Sequence, residues 1–281
     1  MKKLTTLALL GLLLGTMSTV SAYDFLTSRG TGLWQAALLS RPSPSELLNL
    51  PSGRLAINEW RFETGLSRAF DLRDFDQFML AGVGRKGRFS LAAGFSQFGQ
   101  SELFTEQVAK LTLATHIDSL TFAVGGSYLT VGFGGGYENL SAATLHAGSS
   151  FQRNWLTISF AADNLSSPSL NDGSPKVEPL YAAEVEYRGK HPLSIVGRLQ
   201  AQKNERPRFS FGQHLALGST AALMLGLVTA PVQFGGGVEI AHKGALLTYS
   251  MSVHPVLGLT QTIAISYGNR AQKNRGAGEF K

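Results

Sequence analysis

The sequence predicts an all-β protein, a transmembrane antiparallel up-and-down β-barrel of about 14 strands with a short N-terminal segment as a candidate plug of its lumen. Three observations predict this fold. Charged residues are only 16% of the 281, against about 25% in an ordinary soluble domain. Glycine is abundant, at 32 residues, and the mean hydropathy of +0.04 is too low for a bundle of membrane-spanning helices. Several segments of about ten residues alternate apolar and polar side chains.

Residues 1–22 have the pattern of a cleavable secretory signal peptide. Lys2 and Lys3 precede an apolar run, and Val20-Ser21-Ala22 is a small-residue cleavage site. The alternative is an uncleaved anchor helix, but glycine, serine and threonine interrupt the run. The absence of cysteine excludes disulfides, thiolate metal sites and lipid-anchored cysteine. An exported, cysteine-free and charge-poor chain indicates the outer membrane of a Gram-negative cell, in contact with its lipid.

Residues 23–53 show no strand pattern. Pro42, Pro44 and Pro51 surround one candidate helical turn at 45–49. A barrel of about 14 strands is wider than those whose own side chains fill the interior, so something must fill or line this lumen. Two interpretations stay open for the segment, a plug inside the barrel and a periplasmic leader.

The barrel is predicted over residues 54–268. Alternation is clearest in 245–254, where Tyr249 and Met251 flank Ser250. It is weak in 75–84, 104–116 and 220–229, which are assigned from their flanking turns. The predicted strands are 54–68, 75–84, 87–98, 104–116, 119–131, 139–151, 154–165, 177–188, 191–202, 207–218, 220–229, 232–242, 245–254 and 257–268. Their number is even, as a closed single-chain barrel requires.

Short and long links alternate along most of the chain. The predicted periplasmic turns have one or two residues each, and the opposite links are longer. These turns are Arg85-Lys86, Ile117-Asp118, Gln152-Arg153, Gly189-Lys190, Ser219 and Lys243-Gly244. The longest outer link is 166–176, and its Asn171-Asp172-Gly173 is interpreted as a turn. The polar, basic residues 269–281 are predicted to be a disordered tail.

One stretch has a competing interpretation. Residues 215–238 carry no charged side chain, and 215–234 has the length of a membrane-spanning helix. Gly218-Ser219-Thr220 and Pro231 break a helix and favour a hairpin, which is the prediction.

Charged and titratable side chains on the polar strand faces are predicted to point into the lumen. An Arg or Lys facing lipid at mid-depth costs about 2–4 kcal/mol. The lumen candidates are Glu59, Arg61, Glu63, Arg88, Glu184, Glu186, Arg198, His214 and Glu239. We interpret them first as a structural lattice of paired charges, with a selectivity lining or a contact surface for a plug as the alternatives.

Two glycine runs are candidates for kinks in the wall, Gly134-Gly135-Gly136 and Gly235-Gly236-Gly237. A phosphate-binding loop is excluded because neither run is followed by a helix that begins with Lys and Ser or Thr. Glycine in strands marks bulges and curvature, so backbone bending is predicted. The alternative is a kink that opens a lateral gap for a hydrophobic ligand.

The run from Tyr249 to Ile263, with its Leu257-Gly258-Leu259-Thr260 turn, resembles the closing hairpin of the PorV/PorQ branch of FadL-like outer-membrane barrels. Residues 92–99, and 160–165 followed by 178–180, are similar to the same family. The resemblance implies a 14-stranded barrel. It also implies one of two activities, passage of hydrophobic compounds in FadL-like members or type IX secretion with cargo proteins at the cell surface in PorV/PorQ-like members.

Nothing in the sequence predicts covalent chemistry. The histidines have no metal-ligand spacing, no cofactor is expected, and the formal charge of +4 without Lys2 and Lys3 does not favour nucleic acid. A lipase would need adjacent Ser and His, but His146 and Ser149 are predicted on opposite faces of one strand. The leading hypothesis is a non-enzymatic barrel that acts with secretion-system or surface proteins in type IX secretion or envelope organisation. The alternative is a FadL-like channel for hydrophobic small molecules, with a lipase as the least favoured interpretation.

Overall fold

The computed structural model describes residues 26–27, 29–33, 36–50, 53, 55–100, 104–135, 138–170, 176–189, 192–229 and 231–269. The predicted signal segment 1–22, residues 270–281 of the predicted tail, 171–173 and Gly136 lie outside these ranges. The chain forms a closed antiparallel barrel of 14 strands, with each strand paired to its neighbours in sequence and the first paired to the last. The predicted fold class is therefore confirmed.

Most strand bounds lie within a few residues of the prediction. The strands are β1 Trp60–Arg68, β2 Asp76–Lys86, β3 Phe89–Gln100, β4 Phe104–Ile117, β5 Leu120–Phe133, β6 Leu140–Arg153, β7 Leu156–Asp163, β8 Leu180–Arg188, β9 Leu193–Gln202, β10 Arg208–Leu217, β11 Ala221–Val228, β12 Gln233–His242, β13 Ala245–His254 and β14 Gly258–Gly268. Two short helices precede them, α1 Gly30–Leu33 and α2 Pro44–Asn49. Two 3₁₀ turns, Ala69–Asp71 and Arg73–Phe75, connect β1 to β2.

Side chains alternate between the lumen and the outer surface. In β1 every second residue is buried, so Glu63 is 3% exposed while its neighbour Phe62 is 60% exposed. The outward set consists largely of Leu, Ile, Val and aromatic residues, as a lipid-facing belt requires. Gln261, which interrupts the apolar face of β14, accepts a hydrogen bond from Tyr249 Oη at 2.9 Å. Its side-chain oxygen therefore has a partner on the outer surface.

The two ends of the barrel differ in their connections. At one end, here the short-turn end, links such as 87–88, 118–119 and 243–244 have two residues. Lys243 (φ 44°) and Gly244 (φ 87°) are both left-handed, as a tight hairpin turn requires. Trp60 packs on Tyr267 beside this end, with ring centroids 5.9 Å apart. The other end, the long-loop end, carries 69–75 and the long link 164–179.

Three local predictions are wrong. The first strand begins at Trp60 rather than at 54, because a turn through Asn58 (φ 59°) brings the chain from the lumen into the wall. The turn expected at Arg85-Lys86 lies at 87–88, where Gly87 (φ 60°) accepts the left-handed conformation. The turn expected at Gln152-Arg153 lies at 154–155, because β6 extends through Arg153. In the uncharged stretch 215–238 the structure forms β10, β11 and β12, so the predicted hairpin is confirmed over the helix. Among the described residues, no helix is both long and apolar enough to cross a membrane.

Candidate functional site: the plugged lumen

The described residues between 26 and 55, here called the plug, lie inside the barrel. Helix α2 begins because Ser43 accepts a hydrogen bond from the backbone N–H of Glu46, whose side chain bonds back to Ser43 in a capping box. Pro44 occupies the first helical turn, where its missing N–H is tolerated. The helix buries Leu47 and Leu48 almost completely. The described residues of the plug therefore pack within the lumen.

An arginine of the plug joins two carboxylates. Arg29 donates from Nε to Glu239 on β12 at 2.6 Å and from Nη1 to Glu46 at 2.9 Å. The other oxygen of Glu239 lies 2.9 Å from Nε2 of His214 on β10. Burial lowers the pKa of Arg29, but the two carboxylates outweigh this and raise the pKa above its usual value. The guanidinium thus stays charged as the bridge between plug and wall.

Wall carboxylates also bind the plug backbone. Glu184 and Glu186 of β8 accept from the N–H groups of Ala37 at 3.0 Å and Ser40 at 2.6 Å. Glu63 of β1 accepts from the N–H of Ser45 at 2.8 Å. An irregular segment buried in a barrel leaves backbone groups without partners, and these carboxylates supply acceptors for them.

Wall cations bind plug carbonyls on the β1–β2 side. Arg61 donates to the carbonyl of Pro42 at 2.9 Å, and its guanidinium also pairs with Glu59. Arg85 donates to the carbonyl of Leu55. The polar wall side chains therefore form a surface complementary in charge and hydrogen bonding to the plug.

Eight of the nine lumen candidates are buried and turned inward. They are Glu59, Arg61, Glu63, Glu184, Glu186, Arg198, His214 and Glu239. Arg88 is different, because it lies in the turn between β2 and β3 and is exposed. Arg85 occupies the inward position instead, since β2 extends through Lys86.

Sequence reasoning missed Glu106 and Lys110, which share the inward face of β4. Lys110 pairs with Asp163 and approaches Asn49 of α2 at 3.5 Å. Their spacing of four residues on one strand places both on one face, which is a signal that could have identified them. This pattern of polar residues was hard to recognise in the sequence because the inward face of β4 also carries Val108 and Ala114.

The two glycine runs lie in different kinds of structure. Gly134 and Gly135 lie in the turn after β5, so they form no kink within the wall, and Gly136 lies outside the described residues. Gly235, Gly236 and Gly237 lie in β12, which pairs continuously with both β11 and β13. No lateral gap opens along that run in the described wall.

A row of glycines instead makes room for the plug backbone. Gly212, Gly226 and Gly235 stand opposite one another across β10, β11 and β12. A Cβ on Gly226 would lie 2.6 Å from the carbonyl oxygen of Gly32 and 2.9 Å from Cα of Leu33. We call these three wall glycines the glycine row. Gly226 allows the backbone of α1 to approach the wall, and Gly212 leaves room for the side chain of Leu33.

An apolar cluster fills the lumen between the plug and the long loop. Leu47 and Leu48 of α2 pack with wall side chains of β2 to β5 and with Val177 of the 164–179 loop. The wall members are Met79, Ala81, Val83, Ala92, Val108, Leu129 and, from β14, Ala264. Leu26 and Leu170 pack against the same cluster. The plug and the outer loop are thus joined by apolar contact along one side of the lumen.

The lumen contains a Ser–His contact that the sequence did not predict. Ser90 Oγ lies 2.9 Å from Nε2 of His116, whose Nδ1 lies 2.9 Å from the hydroxyl of Thr121. A hydrolase triad has a carboxylate in that third position. His146 contacts the hydroxyls of Thr112 and Ser127. Among the described residues, no group of three or more His, Asp or Glu side chains could hold a metal ion.

The plug leaves a small cavity of about 30 Å³ near the short-turn end, lined by Arg29, His214, Glu239 and the turn between β10 and β11. This volume suits about one water molecule.

Known structures share this architecture at very low sequence identity. The CymD monoaromatic hydrocarbon channel is 10% identical with a TM-score of 0.56, and the match covers 90% of this chain and 96% of that one. A TodX deltaS2S3 mutant, also described as a monoaromatic hydrocarbon channel, is 8% identical with a TM-score of 0.63, over 86% of this chain and 98% of that one. No family model and no curated protein matches the chain. The similarity shows the fold alone.

Proposed function

We propose that this chain is a non-enzymatic outer-membrane channel that admits hydrophobic small molecules, with the plug as its closing element. The observation that carries the proposal is the apolar cluster that connects the 164–179 loop to α2 through the lumen. Similar structures described as hydrocarbon channels support it at the level of fold. The proposal favours the FadL-like interpretation over a role in type IX secretion.

The cluster favours an apolar solute for a physical reason. Met79, Val108 and Leu129 project from β2, β4 and β5 into one contiguous surface with Leu47 and Leu48. Each square ångström of apolar surface that a solute buries there contributes about 25 cal/mol. An ion gains nothing from these contacts and would lose its hydration.

The wall also has a place where pairing stops. Strand β6 pairs with β7 only from Ala147 to Arg153, so its outer half from Leu140 extends beyond that ladder. Leu165 and Ser166 bond to the carbonyls of Leu145 and Ala143 and partly cover this edge. A solute that leaves the apolar cluster sideways would need to break few ladder hydrogen bonds here.

An engineered disulfide that ties the plug to the wall reversibly tests the proposal. The chain has no cysteine, and a Cβ on Gly32 would lie 3.1 Å from Cβ of Ser250 on β13. This is slightly closer than the usual 3.5–4.5 Å of a disulfide, so a small shift of α1 allows the bond. In Gly32→Cys/Ser250→Cys, we expect ethylbenzene uptake by cells to be low when oxidised and to recover on reduction. Each single-cysteine variant is the matched control.

Wild-type uptake no higher than in cells without the protein would contradict the channel. Heat-modifiable migration on gels verifies that each variant is a folded barrel.

The second candidate is a partner protein in type IX secretion. The resemblance of the closing hairpin to the PorV/PorQ branch and the filled lumen favour it. Affinity purification from detergent-solubilised membranes tests this candidate. Recovery of secretion components, together with unchanged ethylbenzene uptake on deletion, would support it over the channel.

A further inference from the structure

A buried carboxyl on β4 has no partner in the part of the chain that the structure describes. Glu106 is 5% exposed, and its Oε2 is buried without a hydrogen bond. It forms no ion pair among the described residues, in contrast to Glu184, Glu186 and Glu239, which all bind the plug or its neighbours. Burying a carboxylate without a donor is costly, so a group that brings charge and N–H donors would bind favourably.

The two cross-strand partners of Glu106 are an aromatic and an apolar residue. They are Phe98 on β3 and Val131 on β5, and cross-strand partners share one face of a sheet. Phe98 stacks on Phe75 with ring centroids 5.8 Å apart. The site lies towards the long-loop end, four residues from Lys110, about 13 Å along the strand.

More aromatic rings continue this surface over the mouth of the barrel. Phe70 contacts Phe75 at 6.4 Å and His254 at 6.1 Å between ring centroids. Phe70 and Asp71 both have φ of 57°, a conformation that is uncommon for residues other than glycine. Such backbone strain persists where packing fixes it and is concentrated at functional sites. Phe70, Phe75, Phe98 and His254 are here called the mouth aromatics.

The geometry points to a binding site for an organic ammonium ion with an apolar body, with Glu106 as its counter-charge and the mouth aromatics as its walls. An ammonium group pairs with the carboxylate through charge-assisted hydrogen bonds, and aromatic faces attract the same cation. The inference rests on the proposed channel, since it names a class of solute that enters from the outer mouth. It adds a polar determinant to the solute contacts of the proposed channel, which are otherwise those of the apolar cluster.

Calorimetry on the full, detergent-solubilised chain tests the site with 2-phenylethylammonium and with ethylbenzene, which has the same body without the amine. We expect Glu106→Gln to weaken 2-phenylethylammonium binding about 10- to 100-fold, as the loss of a charge-assisted hydrogen bond implies, and to leave ethylbenzene binding unchanged. Glu205→Gln, a carboxylate in the β9–β10 loop, is the matched control and should bind as wild type. Phe98→Ala should weaken both ligands.

The outcomes separate this inference from the proposed function. Equal 2-phenylethylammonium binding by wild type and Glu106→Gln, with ethylbenzene still bound and taken up, overturns the ammonium site and leaves the channel standing. Binding of 2-phenylethanol with the same dependence on Glu106 overturns the ammonium assignment in favour of a hydroxyl site. Failure of every ligand to bind or enter overturns both proposals.

Discussion

The plug meets the wall in two different ways on its two sides. Towards β8–β13 it is held by directional contacts, in which Arg29, Glu184 and Glu186 bind at fixed distances and the glycine row admits the backbone. Towards β2–β5 it is held mainly by the apolar cluster around Leu47 and Leu48. Charged hydrogen bonds fix one position, whereas apolar packing is non-directional and can be replaced by a solute. The comparison indicates a plug whose apolar side yields first, while its charged side, which a disulfide between positions 32 and 250 would fix, also shifts briefly and returns the plug to one position.

The largest effect is expected from removal of the anchor. Arg29→Met leaves Glu46 and Glu239 buried without their cation, and breaking a buried pair costs about 3–5 kcal/mol. We expect the plug to leave the wall and the barrel to conduct ions steadily in planar bilayers. Arg68→Met, which breaks the exposed pair with Asp76, is the control and should stay closed. A closed Arg29→Met channel would show that the charges do not anchor the plug.

The second-largest effect is expected from the apolar side of the plug, which faces β2–β5. Leu48 is 1% exposed within the apolar cluster, and Leu48→Ala should cost about 2–5 kcal/mol through lost contacts and a cavity. Because the anchor is intact, we expect faster ethylbenzene uptake without steady ion conductance. Steady conductance equal to that of Arg29→Met would contradict the difference between the two sides.

The glycine row should give an intermediate effect. In Gly226→Ala the new Cβ meets backbone atoms of Gly32 and Leu33 that cannot rotate away, and overpacking of this kind costs about 1–3 kcal/mol. We expect brief openings in single-channel recordings. Gly84→Ala is the matched control, because a Cβ on Gly84 has nothing within 4 Å. Identical recordings for both variants would mean that the plug does not need the row.

The sequence predicted the wall better than its contents. Period-two alternation and short turns identified 14 strands because each strand must satisfy lipid on one face and the lumen on the other. Most inward charges followed from the same alternation. The partners of these charges could not be predicted in the same way. The pairing of Glu239 with Arg29 joins residues 210 positions apart and therefore leaves no periodic pattern in the sequence.

The glycines also show that contacts between distant segments could not be predicted from the sequence. A run such as Gly235–Gly237 is visible in the sequence, but Gly226 and Gly212 are isolated and become a row only through the register of three strands. The sequence could therefore indicate that β12 lacks side chains at three positions, but it could not indicate that a second segment of chain, α1, lies against Gly226 on the neighbouring strand. Glu106 was missed for a related reason, because its face of β4 alternates Glu and Lys with apolar residues.

The smallest effect should come from a neutral contact between α1 and β14, next to the anchored side. Thr31 Oγ1 lies 2.7 Å from Thr262 Oγ1, and Thr262 also donates to Ser67 Oγ at 2.9 Å. In Thr31→Val, Thr262 keeps its bond to Ser67, so no buried donor is left unsatisfied and the cost should be about 1 kcal/mol or less. We expect a closed channel with wild-type uptake, measured beside Arg29→Met. The contrary result is a Thr31→Val channel that opens as widely as that of Arg29→Met. That result would show that the close packing of α1 as a whole anchors the plug, with the charges of Arg29, Glu46 and Glu239 as only one part of the anchor.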